Sequence, residues 1–450
     1  YLIMKESGTF DYTGFDFTNM EPWDNGVWKE PDCVAGIALL LQYGYEMDNR
    51  EEYAIAMQEC MDYLNNYNGS PLYEVLLYYA PALSAELNAR YGTEYDIDNM
   101  LGDVLNGSSI PRGGWGEING KWGDYSVNGL MGSTTDGGGY AFSMNTFSFG
   151  YALAPLAKYD TRYAKSIAVW FLNASSAARY FFPGLVEEEN QSAYGNLKTE
   201  QFLERAKKAI PYEGIRKNAN SKTPWVGGDA TVYDWAETDL SLYSGAYTGM
   251  FAAAFEKTNI EEILKINCNI RGAGAKDFST YLLYNPFAEE KRVTYELPSG
   301  RWSLFDSVEK NVIMQDTSGK IELVMQPGQV MVLVELPGDS NIVHEKGQYT
   351  VNGKWIASDT VTVNIDGYSN NDEIKGKVEF DVRVENTDKN TRPVEIVLKI
   401  DGQELSYQYG DAIRINTLDF KEGSKNIEVR VKMSDGKEEK TDIRLKFIHR

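Results

Sequence analysis

Between residues 31 and 257 the hydrophobic positions repeat with a helical period, and two kinds of predicted helix alternate along the chain. Helices of the first kind are apolar almost all round, which predicts burial on every face. They are expected at 31–47, 71–90, 139–159 and 240–255. Helices of the second kind carry charges along one side and should be half exposed. They are expected at 51–66, 96–105 and 161–181.

This alternation is what two concentric layers of helices require, so residues 1–258 are predicted to form an α/α toroid. Such toroids usually contain about six helical hairpins, whereas this region supplies roughly three and a half. We therefore expect the toroid to be incomplete at its N-terminal side. The chain begins at Tyr1 without a signal peptide, which is typical of a processed secreted protein.

After residue 258 the period changes from helical to strictly alternating, in short runs separated by turn-forming residues. Residues 259–337 are predicted to form a small antiparallel β-sandwich, followed by a linker at Pro337-Gly338-Asp339-Ser340. A second sandwich is expected over 338–450, with turns at Asp401-Gly402 and Asp435-Gly436. The fold class expected is multidomain α plus all-β.

Charge and composition exclude two classes of protein. Lys and Arg number 44 against 66 Asp and Glu, and the net charge of −22 would repel a nucleic acid backbone. No apolar run approaches the about 20 residues of a membrane span, so the chain should not cross a membrane. Attachment to a cell surface stays open.

Three long segments, 5–30, 106–138 and 181–239, enter the N-termini of the apolar helices, and connections of this length are usually functional. Because the apolar helices of a toroid run parallel, these segments should meet at one rim. They contain six of the nine tryptophans, whose indole rings can stack on sugar rings. The substrate-binding residues predicted are Trp23, Trp28, Trp115, Trp122, Trp225, Trp235 and Tyr140.

The same segments are rich in carboxylates, and glycosidic cleavage needs two: a protonated acid and a base or nucleophile. Glu237 is predicted to be the proton donor because it is displaced from the helix axis, and Asp136 the base or nucleophile. Glu30 is the substitute if the geometry fails. Asp239 is a further catalytic candidate, although Asp136 and Asp239 can instead be helix N-caps.

Both histidines, His344 and His449, lie beyond the helical region, which excludes a histidine base or a His-ligated metal from the predicted cleft. No nucleotide-binding loop is present. The chemistry expected of this cleft therefore requires no cofactor, although a structural calcium ion stays open.

Alternating helices, Trp- and Asp-rich segments on one rim and a trailing β-sandwich resemble the α/α-toroid glycoside hydrolases and polysaccharide lyases. The stretches from Leu282 to Phe287 and from Pro327 to Val330 are similar to the small β-domains of such enzymes. Residues 397–402 and 434–436 resemble bacterial immunoglobulin-like repeats, which usually act as spacers. The resemblance is architectural and brings no catalytic residues with it.

The first hypothesis is a secreted or surface-located glycoside hydrolase acting on a neutral glycan. The alternative is a polysaccharide lyase, in which Tyr140 would be the base while Arg112, Lys121 and Arg216 neutralise a uronate. A non-catalytic glycan-binding module or adhesin explains the tryptophans equally well. It differs only in lacking a working pair of carboxylates.

Overall fold

The computed structural model describes residues 1, 5–6, 8–108, 114–218, 223–240, 242–271, 277–388 and 390–449. The protein is a mixture of α-helices and mostly antiparallel β-sheets. It divides into two compact units. Unit 1 comprises residues 1–343 and 350–357, and unit 2 comprises residues 344–349 and 358–450.

Unit 1 begins with the helical region. Its helices include α1 (Cys33–Asp48), α2 (Glu51–Asn65), α3 (Ala80–Tyr91), α4 (Ile97–Leu105), α5 (Ser143–Leu153), α6 (Leu156–Tyr159), α7 (Ala164–Ala177) and α8 (Leu197–Arg205). Three short helices follow: α9 (Asp229–Val232), α10 (Leu242–Gly245) and α11 (Thr248–Ala252). A 3-10 helix, Leu76–Tyr79, precedes α3.

Four elements, α1, the 3-10 helix, α5 and α11, form a row in which each contacts the next. Helix α2 packs against α1 and α3, and helix α4 packs against α3. Helix α5 is buried on nearly every face, as predicted, and Phe147 stacks on Phe251 of α11 at 5.3 Å between ring centroids. Helix α1 differs from the prediction, because Leu40 is 69% exposed and Met47 is 86% exposed. Apolar character alone therefore did not determine the burial of these two side chains.

A five-stranded antiparallel sheet, which the sequence did not predict, lies within the helical region. Its strands in sheet order are β3 (Trp115–Ile118), β6 (Leu130–Ser133), β7 (Tyr140–Phe142), β8 (Gly214–Arg216) and β9 (Trp225–Gly227). The helix expected from residue 139 therefore starts only at Ser143. Three residues of alternating pattern are too few to be separated from the apolar run that follows them.

Four other short strands accompany this region, in two hairpins: β1 (Gly14–Asp16) with β2 (Glu21–Trp23), and β4 (Lys121–Trp122) with β5 (Tyr125–Ser126). The rest of unit 1 is β-structure. A six-stranded sheet has the order β10 (Phe255–Lys257), β11 (Leu264–Asn267), β12 (Thr280–Tyr284), β17 (Val330–Pro337), β14 (Trp302–Asp306) and β15 (Asn311–Thr317). A two-stranded antiparallel sheet of β13 (Lys291–Glu296) and β16 (Lys320–Met325) shares one apolar cluster with that sheet.

Three strands, β18 (Ile342–Glu345), β19 (Gln348–Val351) and β20 (Lys354–Ser358), follow β17. Unit 2 then contains two sheets. One has the order β21 (Val361–Asp366), β23 (Lys377–Asn386) and β26 (Ile413–Asn416). The other has the order β22 (Glu373–Ile374), β28 (Glu438–Phe447), β27 (Gly423–Met433), β24 (Pro393–Ile400) and β25 (Gln403–Gln408). A single apolar cluster draws residues from both sheets.

Residues 350–357 belong to unit 1 although they follow the predicted linker. Trp355 is buried, and its ring stacks on Tyr159 at 5.4 Å between centroids.

We expect a protein ending at Ser358 to melt as unit 1 does in the full chain, whereas one ending at Pro337 loses about 3–5 kcal/mol of stability. Calorimetry of both, with Trp355→Ala in the full chain as control, checks this. Equal stability of the two truncated proteins would contradict it.

Candidate functional site

A cavity of about 550 Å³ opens where the unpredicted sheet meets the helices of unit 1. Its walls combine carboxylates with aromatic rings, the mixture expected of a sugar site. The lining residues are Glu74, Trp115, Ser133, Thr135, Asp136, Phe142, Met144, Glu213, Asp229, Tyr233 and Trp235. No described lining residue is a lysine, arginine or histidine.

Glu213 is the most deeply buried carboxylate of the cavity, with 4% of its surface exposed. It immediately precedes strand β8, and its backbone carbonyl accepts hydrogen bonds from both the amide and the hydroxyl of Ser143 at the start of α5. A methyl group at Gly228 would lie 2.7 Å from the Glu213 carboxylate, so this glycine leaves room for the side chain. The position of Glu213 is thus fixed from two sides.

Burial, together with the smaller effect of the negative charge of Asp239, raises the pKa of Glu213 to about 7. The Arg216 guanidinium and the Tyr140 hydroxyl act in the opposite direction. Oxygen Oε2 of Glu213 is buried and has no hydrogen-bond partner among the described residues. The group is therefore suited to hold and release a proton near neutral pH.

Asp229 differs in its surroundings, because it forms an ion pair with Arg216. The Arg216 guanidinium also lies over the ring of Tyr140, 3.8 Å from its centroid. Among the described residues, Arg216 is the only cation in contact with a carboxylate of the lining, and these two contacts hold it in place. Asp229 also accepts, through its backbone carbonyl, a 2.6 Å hydrogen bond from the indole of Trp235, which anchors that ring at the mouth.

Glu74 also lines the cavity, although it lies far from Glu213 and Asp229 in the sequence. It belongs to the turn before the 3-10 helix. Its backbone has a φ of 60°, in the left-handed region that a glutamate rarely adopts. The structure therefore corrects the prediction of a helix from residue 71, because α-helical residues cannot have this φ. The helical turns begin at Leu76.

Two of the six predicted tryptophans, Trp115 and Trp235, line this cavity. Trp28 lines a second cavity of about 340 Å³ together with Tyr67, and Trp23 is 51% exposed in the β1–β2 hairpin.

Trp122 and Trp225 pack instead on nearby glycines. The ring of Trp122 lies over Gly139, whose φ of 139° and lack of a side chain permit the contact, and the ring of Trp225 lies over Gly227.

The four carboxylates predicted to be catalytic do not lie together: Asp136 lines the cavity, and the other three do not. Asp136 lines the cavity and is exposed on the Asp136–Gly139 turn. Glu237 is exposed outside the lining and is paired with Lys198. Asp239 is fully buried and accepts hydrogen bonds from the amide and hydroxyl of Thr231, at 2.9 and 2.7 Å. Glu30 accepts the indole hydrogen of Trp28 at 3.2 Å and does not line the cavity.

The sequence analysis missed Glu213 and Glu74, and each had a recognisable signal. Glu213 stands between Tyr212 and Gly214, in a short alternating run inside a segment that we interpreted as loop. Glu74 is the single charged residue in the apolar run from Pro71 to Ala85. A lone carboxylate in an apolar run has to be desolvated, paired or functional.

Of the three cations required by the lyase alternative, the two that the structure describes, Lys121 and Arg216, do not line the cavity. Lys121 is exposed in the β4–β5 hairpin, Arg216 is paired with Asp229, and Arg112 lies outside the described residues. Tyr140 is buried, and burial raises its pKa.

No group of three or more His, Cys, Asp or Glu side chains in the described residues could hold a metal ion. Within the same residues, no helix is long and apolar enough to cross a bilayer.

Comparisons with known proteins give only partial structural likenesses. No family model matches the chain, and no curated protein matches it. The endo-β-1,4-mannanase from Thermotoga petrophila is similar at 18% identity and a TM-score of 0.17, over 20% of each chain. The fibronectin(III)-like modules of Clostridium thermocellum CbhA are similar at 9% identity and a TM-score of 0.17, over 36% of this chain and 87% of that one.

This chain thus spans about a fifth of the length of the mannanase that it matches. At these TM-scores neither likeness assigns a fold or a function to it.

Proposed function

We propose that unit 1 is a glycoside hydrolase that cleaves a neutral poly- or oligosaccharide in the 550 Å³ cavity. The observation that carries the proposal is Glu213, a buried carboxyl with a pKa raised to about 7 in a cavity that other carboxylates also line. Glycosidic cleavage needs two carboxyl groups in different protonation states. Glu213 supplies the protonated one.

In this proposal Glu213 replaces Glu237 as the proton donor. The reason is physical: a general acid works best when its pKa lies near the working pH and its proton reaches the leaving oxygen directly. Glu213 faces the cavity and is desolvated, whereas Glu237 is exposed and paired with Lys198. Asp136, on the exposed rim, would contact the sugar.

The aromatic residues favour a sugar as the occupant. Trp115 and Phe142 form the inner wall, with 5.6 Å between their ring centroids, while Tyr233 and Trp235 stand 68% and 62% exposed at the mouth. Exposed rings at a cavity mouth offer flat apolar surfaces for the faces of sugar rings. Because the described lining carries carboxylates and no cation, a neutral glycan fits better than a uronate polymer.

We further propose that the helical region is an α/α toroid, supported by the inner row of α1, the 3-10 helix, α5 and α11. The two apolar clusters shared between facing sheets support a small sandwich at the end of unit 1 and an immunoglobulin-like sandwich in unit 2. Secretion or display at the cell surface is proposed as well, since a glycan polymer is an extracellular substrate.

The test is turnover by the full chain on a panel of neutral polysaccharides that differ in sugar and linkage. We expect new reducing ends from at least one of them, and weaker turnover by Trp235→Ala, by about 10-fold in kcat/KM. Binding of glycans without release of reducing ends would favour the adhesin alternative. Cleavage of uronate polymers alone, with an unsaturated product, would favour the lyase.

A further inference from the structure

We propose that Glu74 is the second catalytic carboxylate, the group that acts on the anomeric carbon opposite Glu213, and that Asp32 and Asn145 are its positioning residues. This inference rests on the proposed function and deepens it. Three observations lead to it: the place of Glu74 in the cavity lining, its backbone conformation, and the two buried polar side chains that hold the adjoining peptide groups.

The backbone of Glu74 is strained for a residue with a side chain. A φ of 60° places a β-carbon close to the neighbouring carbonyl oxygen, and glycine is the residue that usually adopts it. Such strain persists only where the surrounding structure imposes it, and it concentrates at functional sites. A glutamate at this position, half-buried and lining the cavity, indicates that the carboxylate is needed there.

Two buried side chains hold this strained turn. Asp32, 1% exposed at the start of α1, accepts the amide hydrogen of Tyr73 at 3.2 Å. Asn145, fully buried in α5, donates to the carbonyl of Glu74 at 2.9 Å and to the Tyr78 hydroxyl at 3.1 Å. Burying two polar side chains costs free energy unless their hydrogen bonds are made. Here those bonds fix the direction in which the Glu74 side chain leaves the backbone.

The Asp32 carboxyl beside this turn is held in its neutral form. Burial, together with the smaller effects of the negative charges of Glu30 and Glu74, raises the pKa of Asp32 to about 8. Asp32 is therefore neutral at pH 7 and supports the turn without placing a second negative charge beside Glu74. Glu30, which the sequence made a substitute catalytic residue, thereby helps to keep Asp32 protonated.

The other lining carboxylates are less suited to this role. Asp229 is committed to the ion pair with Arg216. Asp136 lies on an exposed turn followed by three glycines, all with positive φ values, of 57°, 85° and 139°. A carboxylate that must meet the anomeric carbon within a fraction of an ångström is better carried by a turn that hydrogen bonds fix. Glu74 is the lining carboxylate with that support.

The chemistry balances with these two groups and water. The Glu74 carboxylate attacks the anomeric carbon, or removes a proton from the water that attacks it, while the glycosidic carbon–oxygen bond breaks. The Glu213 proton passes to the leaving oxygen, which becomes a hydroxyl group. In the first route water then cleaves the glycosyl ester, giving one proton back to Glu213 and restoring Glu74. In the second route Glu74 releases the proton taken from water to the solvent, and Glu213 takes up a proton from the solvent. No oxidant, reductant or further reactant is required.

The test uses the full chain, an aryl glycoside of the sugar that the panel identifies, and sodium azide. We expect Glu74→Ala to lose at least about 10³-fold in kcat. Azide should restore part of that rate, because it attacks the anomeric carbon where the carboxylate is missing, and the product should be a glycosyl azide. Asp136→Ala should lose far less and gain nothing from azide.

Two further variants separate catalysis from folding. Glu74→Gly should be equally inactive and yet melt about 2 °C higher, because glycine relieves the strained φ. Asp32→Ala should lower kcat with little change in KM, and Asp32→Asn, which keeps an oxygen acceptor for the Tyr73 amide, should recover most of that loss. Glu204→Gln, an exposed change on α8, serves as the matched control.

Full activity of a folded Glu74→Ala protein would overturn this inference, as would azide rescue of Asp136→Ala but not of Glu74→Ala. Either result would leave the glycosidase proposal intact provided that Glu213→Gln is inactive. If the unaltered protein cleaves no glycan or aryl glycoside, both proposals fail together.

Discussion

Replacing Glu213 by Gln is expected to reduce kcat on a natural glycan by about 10²–10⁴-fold while binding of the same glycan persists. The amide keeps the volume of the side chain but has no proton to give. The loss should shrink strongly on an aryl glycoside with an acidic phenol, because that leaving group departs without protonation. Steady-state kinetics on both substrates, with binding measured by calorimetry, checks this.

Two controls accompany that variant. Glu237→Gln removes the group that the sequence favoured, which is exposed and paired with Lys198, and should leave turnover near that of the unaltered protein. Glu204→Gln controls for an arbitrary exposed change. Inactivity of Glu237→Gln together with activity of Glu213→Gln would return the role to the residue that the sequence indicated.

Stability provides an independent signature of the same group. A carboxyl whose pKa is about 7 when folded, against an ordinary value of 4.5, stabilises the fold below pH 4.5 relative to higher pH. This stabilisation is lost as the pH rises through 7, and by pH 8 the loss amounts to about 3 kcal/mol at most. Glu213→Gln should therefore exceed the unaltered protein in melting temperature at pH 8 more than at pH 5. Thermal unfolding at both values distinguishes lost chemistry from lost folding.

Asp277→Asn is expected to reduce the stability of unit 1 by about 3–5 kcal/mol. The Lys158 ammonium of α6 is 4% exposed and lies 2.6 Å from the Asp277 carboxylate, which also pairs with Arg90 of α3. Burial lowers the pKa of Lys158, whereas Asp277 raises it. Without Asp277 the buried ammonium loses its carboxylate partner, and the loss of stability should lessen at high pH, where Lys158 can become neutral.

The matched control is Asp316→Asn. Asp316 pairs with Arg301 at 2.6 Å, but both side chains are at least half exposed, so its replacement should cost far less stability than that of Asp277. Chemical unfolding of the two variants at pH 7 makes the comparison. Equal losses would show that the Lys158–Asp277 pair does not link the helices to the sheet of unit 1.

The sequence predicted the strands better than the helices. The short alternating runs expected after residue 258 correspond to the strands from β12 to β17, because alternating residues bounded by turn-forming residues report a half-buried strand directly. The apolar run at 31–47 was a weaker guide. Its composition predicts a helix, but whether Leu40 is covered depends on what packs beside it, which one segment's pattern does not contain.

The candidate site could be predicted only in part. Asp136, Trp115 and Trp235 were recognised from residue type and from their position before an apolar helix. Glu213 and Glu74 come together through pairing of β7 with β8 and through a left-handed turn at residue 74. Both features depend on tertiary contacts with α5, so neither periodicity nor composition reveals them.

The pH dependence of kcat/KM between pH 4 and 9 tests the central claim most directly. On a glycan that the protein cleaves, kcat/KM should fall with a slope of one as the pH rises through about 7, the pKa of Glu213. On an activated aryl glycoside, Glu213→Gln should lose that alkaline fall. An alkaline fall that persists unchanged in Glu213→Gln would contradict the assignment of Glu213 as the proton donor.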